Sequence, residues 1–268
     1  LDRRPIGVFD SGIGGLTVVK EIMKILPEED IVYFGDTARV PYGSKSRDTI
    51  IKFAFQDSRF LLSKNVKAIV VACNTASAMS LGELQESIEV PVIGVIKPGA
   101  HAAVRASKTG RIGIIGTEGT IGSRAYENAI KKLYPEAEII GHPCPLFVPL
   151  VEEGWAGTKV SYLVAEEYLK PLKDVDIDTL VMGCTHYPLL TRVVGDVMGQ
   201  DVTLINPAEE TALELKEILM EKGLQNDPEN NPSYRYYVSD NPDKFSRVGS
   251  NFLNRDISNI QKVDIEKY

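Results

Sequence analysis

A chain of 268 residues can hold two small α/β units or one large one, and its apolar and charged fractions are those of a globular protein. A net charge of −7 argues against a dedicated nucleic-acid or anionic-membrane surface. No apolar run approaches ~18 residues and no basic segment precedes an apolar stretch at the start, so neither a membrane span nor a signal peptide is expected. The three cysteines, Cys73, Cys144 and Cys184, form no C-x-x-C pair, and there are only three histidines. A metal site is therefore not expected, and the thiols read as reduced, in a cytoplasmic protein.

Pro5–Asp10 (PIGVFD) predicts a first strand, and Ser11–Gly15 (SGIGG) a glycine-rich turn into a helix that runs to about Ile25. The position three after Gly14 is Thr17, so the full G-x-G-x-x-G is missing. A turn that lets backbone N–H groups approach a small carboxylate accounts for the glycines at least as well. Asp30–Phe34 predicts a second strand, ending at Gly35-Asp36-Thr37. Pro41-Tyr42-Gly43-Ser44 makes a turn before a helix over Asp48–Lys64. Strand Ala68–Ala72 delivers Cys73, followed by Asn74, Thr75, Ala76 and Ser77. Val90–Ile96 predicts a fourth strand, and Pro98-Gly99 a break in the pattern.

From Gly110 the order begins again. Arg111–Gly116 (RIGIIG) followed by Thr117–Gly122 (TEGTIG) mirrors IGVFD followed by SGIGG. Aligning Gly7 with Gly113 puts Asp10 opposite Gly116, Ser11 opposite Thr117 and Gly35 opposite Gly141. Leu180–Leu190 (LVMGCTHYPLL) is again an apolar strand ending in a thiol, Cys184, with Thr185 and His186 after it. The two cysteines fall 66 and 71 residues after the paired glycines, which predicts two α/β units of similar topology. Asp201–Asn206 is a late strand and Ala208–Lys222 an amphipathic helix opened by Pro207. Gln225–Ser233 is a loop, Tyr234–Ser239 a terminal strand and Asp243–Leu253 a last helix.

Ligands of parallel sheets collect at the carboxyl ends of strands, where both cysteines fall. Each also precedes a predicted helix start, whose dipole favours a thiolate. His186 stands two residues beyond Cys184, and Asp10 and Asp36 end neighbouring strands near Cys73. Asp10 reads otherwise as a turn cap, and Asp36 as a helix cap. One thiol with a histidine would suggest acyl transfer. Two thiols on two similar units suggest proton transfer on both faces of a flat intermediate, one group removing an α-proton and the other returning one. Ser11, Asn74, Thr75, Thr117, Thr120 and Thr185 supply donors for a carboxylate substrate. Glu152 and Glu153 read either as a solvated pair or as part of the site. Cys144, His101 and His142 read as structural.

The phrases GVFDSGIGGLTV (Gly7–Val18), YFGDTARVPYGSKS (Tyr33–Ser46), VACNTASA (Val71–Ala78) and GCTHYPLL (Gly183–Leu190) resemble those of bacterial glutamate racemase. The likeness extends to SDNPDKFSRVGSNFL near the end. The resemblance implies two similar, pseudo-symmetric α/β domains with mainly parallel sheets. Residues 1–97 completed by 208–268 would form one and 98–207 the other, with the active site in the cleft between them. It implies interconversion of L- and D-glutamate without a cofactor, supplying D-glutamate for peptidoglycan. Cys73 and Cys184 would be the acid/bases, assisted by Asp10 and His186, with Asp36 and Glu152 as polar neighbours. Asp10, Ser11, Asp36, Pro41, Tyr42, Gly43, Ser44, Asn74, Thr75, Thr117, Thr120, Thr185 and His186 would hold the substrate. Aspartate racemase, other cysteine-pair racemases and a gyrase-binding regulator are the alternatives, and a homodimer is implied. His186, where aspartate racemases tend to carry an acidic residue, favours glutamate.

Overall fold

Short runs rich in Val and Ile, each closed by glycine or polar residues, alternate with helices along the chain, and every alternation closes as a parallel crossover. The computed structural model describes residues 1–268. The first stretch comprises β1 (Ile6–Asp10), α1 (Leu16–Ile25), β2 (Ile31–Gly35), α2 (Arg47–Ser63), β3 (Ala68–Val71), α3 (Asn74–Ser87) and β4 (Val92–Gly94). The second comprises α4 (Ile96–Ala106), β5 (Arg111–Gly116), α5 (Glu118–Gly122), α6 (Ala125–Leu133), β6 (Glu138–Pro143), α7 (Phe147–Glu152), α8 (Lys159–Lys173), β7 (Thr179–Gly183), α9 (Thr191–Met198) and β8 (Thr203–Ile205). Then follow α10 (Pro207–Glu221), β9 (Tyr234–Val238), α11 (Pro242–Leu253) and β10 (Gln261–Lys262).

The sheets order as β10-β9-β2-β1-β3-β4 and β6-β5-β7-β8, so the same four-strand pattern occurs twice. All strand pairs are parallel. The register makes the repeat sharper than the spacing does. Phe9 pairs with Val71 and its counterpart Ile115 with Met182, so each cysteine lies two residues beyond an equivalent rung. One predicted correspondence shifts. Gly35 pairs with Asp10, whereas Gly116, the counterpart of Asp10, pairs with Pro143 and not with Gly141. The slip is two residues, which keeps every side chain on its face of the sheet.

The fourth strand is shorter than expected. Val95 and Ile96 leave it for the start of α4, and Pro98 lies in the first turn of that helix instead of breaking the pattern. A proline is tolerated there because the first-turn N–H groups have no intrahelical acceptor.

One large apolar cluster runs from β1 and α1 of the first unit to β7 and α9 of the second, so the core is continuous beneath the cleft. Helix α10 packs against both α1 and α4, burying Ala208, Ala212, Leu215 and Leu219. The division into 1–97 with 208–268, and 98–207, is a proposal that takes its C-terminal part from β9 and β10, which lie in the first sheet. No helix is long and apolar enough to cross a membrane.

At the far end of the first sheet Lys67 is fully buried. Its Nζ lies 2.5 Å from Glu29 Oε2 and donates to the Asp2 carbonyl at 2.8 Å. Glu29 Oε1 accepts from the Asn226 N–H at 2.9 Å, so the segments around Asp2, Glu29, Lys67 and Asn226 are tied together. Replacing Lys67 by Met leaves the Glu29 carboxyl buried without its counter-ion. Urea denaturation of Lys67→Met should show a loss of about 3–5 kcal/mol of stability.

Candidate active site

Cys73 ends the segment after β3 and is the N-cap of the fourteen-residue α3, with extended backbone (φ −65°, ψ 121°). Cys184 follows β7, but no α-helix begins at it. Tyr187–Leu190 is a 3-10 turn and α9 starts only at Thr191. The expectation of a helix dipole behind each thiol therefore holds for Cys73 alone. In compensation, His186 Nδ1 lies 3.9 Å from the Cys184 sulfur. Cys73 has a hydroxyl partner instead, its thiol donating to Ser11 Oγ at 3.6 Å.

The carboxyl ends of both sheets face one cleft, with about 490 Å³ of empty space partly open to solvent. Cys73 and Cys184 line its opposite units, and Ser11, Pro41, Tyr42, Gly43, Asn74, Thr75, Thr117, Thr120, Glu152, Thr185 and His186 line it with them. No lysine or arginine does. No three His, Cys, Asp or Glu side chains converge as a metal-binding set.

Direct bonds join the two walls. Thr75 Oγ1 lies 2.9 Å from Thr117 Oγ1 and 3.2 Å from Thr120 Oγ1. The Gly119 N–H donates to the Gly43 carbonyl at 2.8 Å, and Thr17 Oγ1 to the Thr185 carbonyl at 3.0 Å. Tyr126 OH donates to Asn74 Oδ1 at 2.7 Å, which leaves the amide N–H groups of Asn74 as donors toward the cleft. The approach is closest at Gly14. A Cβ there would stand 2.2 Å from Thr185 Oγ1 and 2.5 Å from His186 Nδ1, so only glycine fits.

The charges around the two thiols differ. Burial pushes the Cys73 thiol up to about 12, with the Asp10 charge adding to the effect, so Cys73 is protonated at neutral pH. His186 stands in the opposite state. Burial disfavours its charge, but hydrogen bonds to Cys184 and Glu152, with their charges, win and hold the imidazolium up to about 10. Its Nε2 lies 3.2 Å from Glu152 Oε1, and the second oxygen of Glu152 accepts from Lys244 Nζ at 3.0 Å. The His186 hydrogen bond pulls Glu152 down to about 2 against its own burial, with Lys244 helping. The reading of Glu152 as a solvated surface carboxylate is thus replaced by an ion bridge between α7 and α11.

Three expected site residues do not reach the cleft. Asp10 is fully buried beneath it, makes no hydrogen bond to Cys73, and caps the turn by accepting from the Gly12 N–H at 3.0 Å. Burial raises its pKa, opposed by the His186 charge and by the turn's N–H groups. Asp36 is fully buried as well, held by Arg39 Nε (2.6 Å), Tyr42 OH (2.5 Å) and Ser239 Oγ (2.8 Å). It acts on the wall through Tyr42 and does not cap a helix. Ser44 lies outside the lining. Cys144 is buried against Tyr187, whose OH donates to its carbonyl at 2.8 Å, as a structural residue should be. Sequence reasoning missed Lys244, Tyr126 and Gly14. Only the unmatched G-x-G pattern carried any signal for the last.

Two pseudo-symmetric parallel-sheet units, each presenting a strand-end thiol to a shared cleft, define the two-domain racemase class. The comparisons agree with that geometry. The family model for Asp/Glu/Hydantoin racemase matches residues 6–215. A glutamate racemase of Geobacter metallireducens is 51% identical over 263 residues, covering 98% of this chain and 97% of its own. Among solved structures, a glutamate racemase isoform from Bacillus anthracis superposes with a TM-score of 0.95 at 44% identity, covering 98% of each chain. The Francisella tularensis glutamate racemase in complex with D-glutamate gives 0.93 at 46% identity, covering 100% of each. The chain belongs to the Asp/Glu/Hydantoin racemase family.

Two outcomes follow from this geometry. Gly14→Ala should lower kcat/KM by about 100-fold, since a clash with Thr185 and His186 displaces the second wall by a fraction of an ångström or more. The second concerns stability. His186 is raised above its ordinary 6.5, so its contribution is complete below 6.5 and fades as pH climbs toward about 10. Glu152 is lowered below its ordinary 4.5, so its contribution is complete above 4.5 and fades as pH falls toward about 2. Thermal denaturation across pH should therefore show shallower alkaline and acid flanks in His186→Asn and Glu152→Gln, respectively, than in wild type.

Proposed function

We propose that this chain interconverts L- and D-glutamate by two-thiol proton transfer, without a cofactor. The carrying observation is the pair of cysteines on opposite units of one cleft, at equivalent register positions beyond β3 and β7. A planar intermediate between them has one thiol on each face, the arrangement that inverting a stereocentre demands.

The assignment of direction is carried over from the family resemblance, and the surroundings of the thiols describe how each would serve in it. Burial keeps Cys73 protonated, so in the resting chain it is the acid. Cys184 is the base for the opposite face, and His186 Nδ1 at 3.9 Å is placed to hold or return its proton. In the L-to-D direction Cys184 removes the α-proton and Cys73 delivers one; the reverse reaction exchanges the roles. Glu152 and Lys244 keep the imidazole oriented and charged. The two carboxylates of the substrate meet hydroxyl, amide and backbone N–H donors of Ser11, Asn74, Thr75, Thr117, Thr120 and Thr185. A site without lysine or arginine leaves the imidazolium as the cation nearest the reacting carbon.

The proposal includes a cytoplasmic role in supplying D-glutamate for peptidoglycan. It also carries over the homodimer and the gyrase association implied by the resemblance. Light scattering and a gyrase pull-down with Cys73→Ser read these apart from catalysis.

Proton NMR in D₂O with L-glutamate and no added cofactor should show loss of the α-proton signal together with decay of optical rotation. L-Aspartate under the same conditions should stay unchanged. Cys73→Ala and Cys184→Ala should each lower racemisation by roughly 100- to 10,000-fold or more. Full activity in either variant would sink the mechanism.

A further inference from the structure

Tyr42 forms part of the cleft wall, yet its hydroxyl points away into a buried ionic cluster. Asp36 Oδ2 lies 2.5 Å from it and Asp57 Oδ2 lies 3.0 Å from it. Both carboxyl groups are fully buried, and Tyr42 is 1% exposed. A phenol carries one hydrogen and can satisfy one carboxylate. The other contact sets lone pair against lone pair unless a further proton is present.

The remaining partners decide where that proton sits. Asp36 accepts from Arg39 Nε, Ser239 Oγ and Tyr42 OH, three donors for one charge. Apart from the phenol that it shares with Asp36, Asp57 has one donor, Arg39 Nη2 at 3.0 Å, which bonds Oδ1 and leaves Oδ2 facing the phenol. One guanidinium thus stands against two carboxyl groups. Glu266 from the C-terminal turn draws on the same guanidinium at 3.3 Å, and Asp10 of β1 adds negative charge. A second buried carboxylate here would lack a counter-ion.

We propose that Asp57 carries a proton on Oδ2 and donates it to Tyr42, making Asp57 a positioning residue for the Val40–Gly43 strip of the cleft wall. The chain of donation runs from Asp57 to Tyr42 and from Tyr42 to the charged Asp36. Burial, reinforced by the Asp36 charge, pushes the Asp57 carboxyl well above the usual carboxylate range, in the same sense as the proton count. The consequence reaches the other unit, because the Gly43 carbonyl beside Tyr42 accepts the Gly119 N–H. Losing the Asp57 proton in alkali would set two buried charges against Tyr42 and loosen this wall.

Asp57→Asn tests this, since the amide donates where the acid does and never ionises. Its KM for glutamate should stay within about twofold of wild type at neutral pH, and climb less steeply in alkali than that of wild type, the rise that remains being the loss of the His186 charge. Asp57→Leu removes the donor and should raise KM about tenfold at every pH. An Asp57→Asn profile that superimposes on wild type, or one as damaged as Asp57→Leu, overturns the proposal. If Asp57→Leu does not fold, the comparison of wild type with Asp57→Asn decides alone. The kinetic arm rests on the racemase reading, so an infrared measurement without substrate accompanies it. At neutral pH the carbonyl band of a protonated carboxyl should be present in wild type and missing in Asp57→Asn. No lost band overturns the proposal, whereas no glutamate turnover in wild type fails the racemase reading only.

Discussion

Hydrogen bonds between the two walls of the cleft are the constraint on which the site depends. Thr75 with Thr117 and Thr120, Gly119 with Gly43, Tyr126 with Asn74 and Thr17 with Thr185 each pair a group from one unit with a group from the other. Parallel strands send all their carboxyl ends in one direction, so each unit alone presents only half of the chemistry. Joining the units puts both thiols on one cavity. The continuous apolar core beneath, with α10 packed against helices of both units, resists their separation.

Within that frame the symmetry of the backbone is broken by electrostatics. Cys73 and Cys184 lie equally far beyond equivalent rungs, yet one thiol meets a hydroxyl at a helix N-terminus and the other an imidazole. The reaction needs one thiol protonated while the other is ionised, and different surroundings let the two hold their protons differently. The imidazolium at His186 survives burial because Cys184 and Glu152 outweigh its desolvation, and Lys244 holds Glu152 from the other side. The same four side chains bridge the units, so the groups that set protonation also help close the cleft.

Buried charge is handled by local neutrality in the rest of the fold. Lys67 and Glu29 form one balanced pair at the far end of the first sheet. Behind Tyr42, Asp36 and Arg39 form another, and the extra carboxyl of Asp57 fits as a neutral acid. Unpaired charge in the interior costs several kcal/mol, which makes the proton inventory part of the architecture. Asp36, whose strand-end position suggests a substrate contact, belongs to this inventory and acts on the cleft at one remove.

The amino-acid sequence by itself determined the strand-end cysteines, the doubled α/β pattern, the threonines and Asn74 around the cleft, and the family resemblance. These are local features: strand and helix periods, glycine turns and short motifs whose chemistry is readable within a dozen residues. Tertiary structure alone decided the rest. Lys244 meets Glu152 from 92 residues away and Ser239 meets Asp36 from 203. The start of α9 at Thr191, which leaves Cys184 without a helix dipole, and the closeness of Gly14 to His186 likewise follow from packing. Which carboxyl group faces substrate and which is sealed behind the wall depends on desolvation and on counter-ions supplied by distant segments. Only the folded chain brings those together.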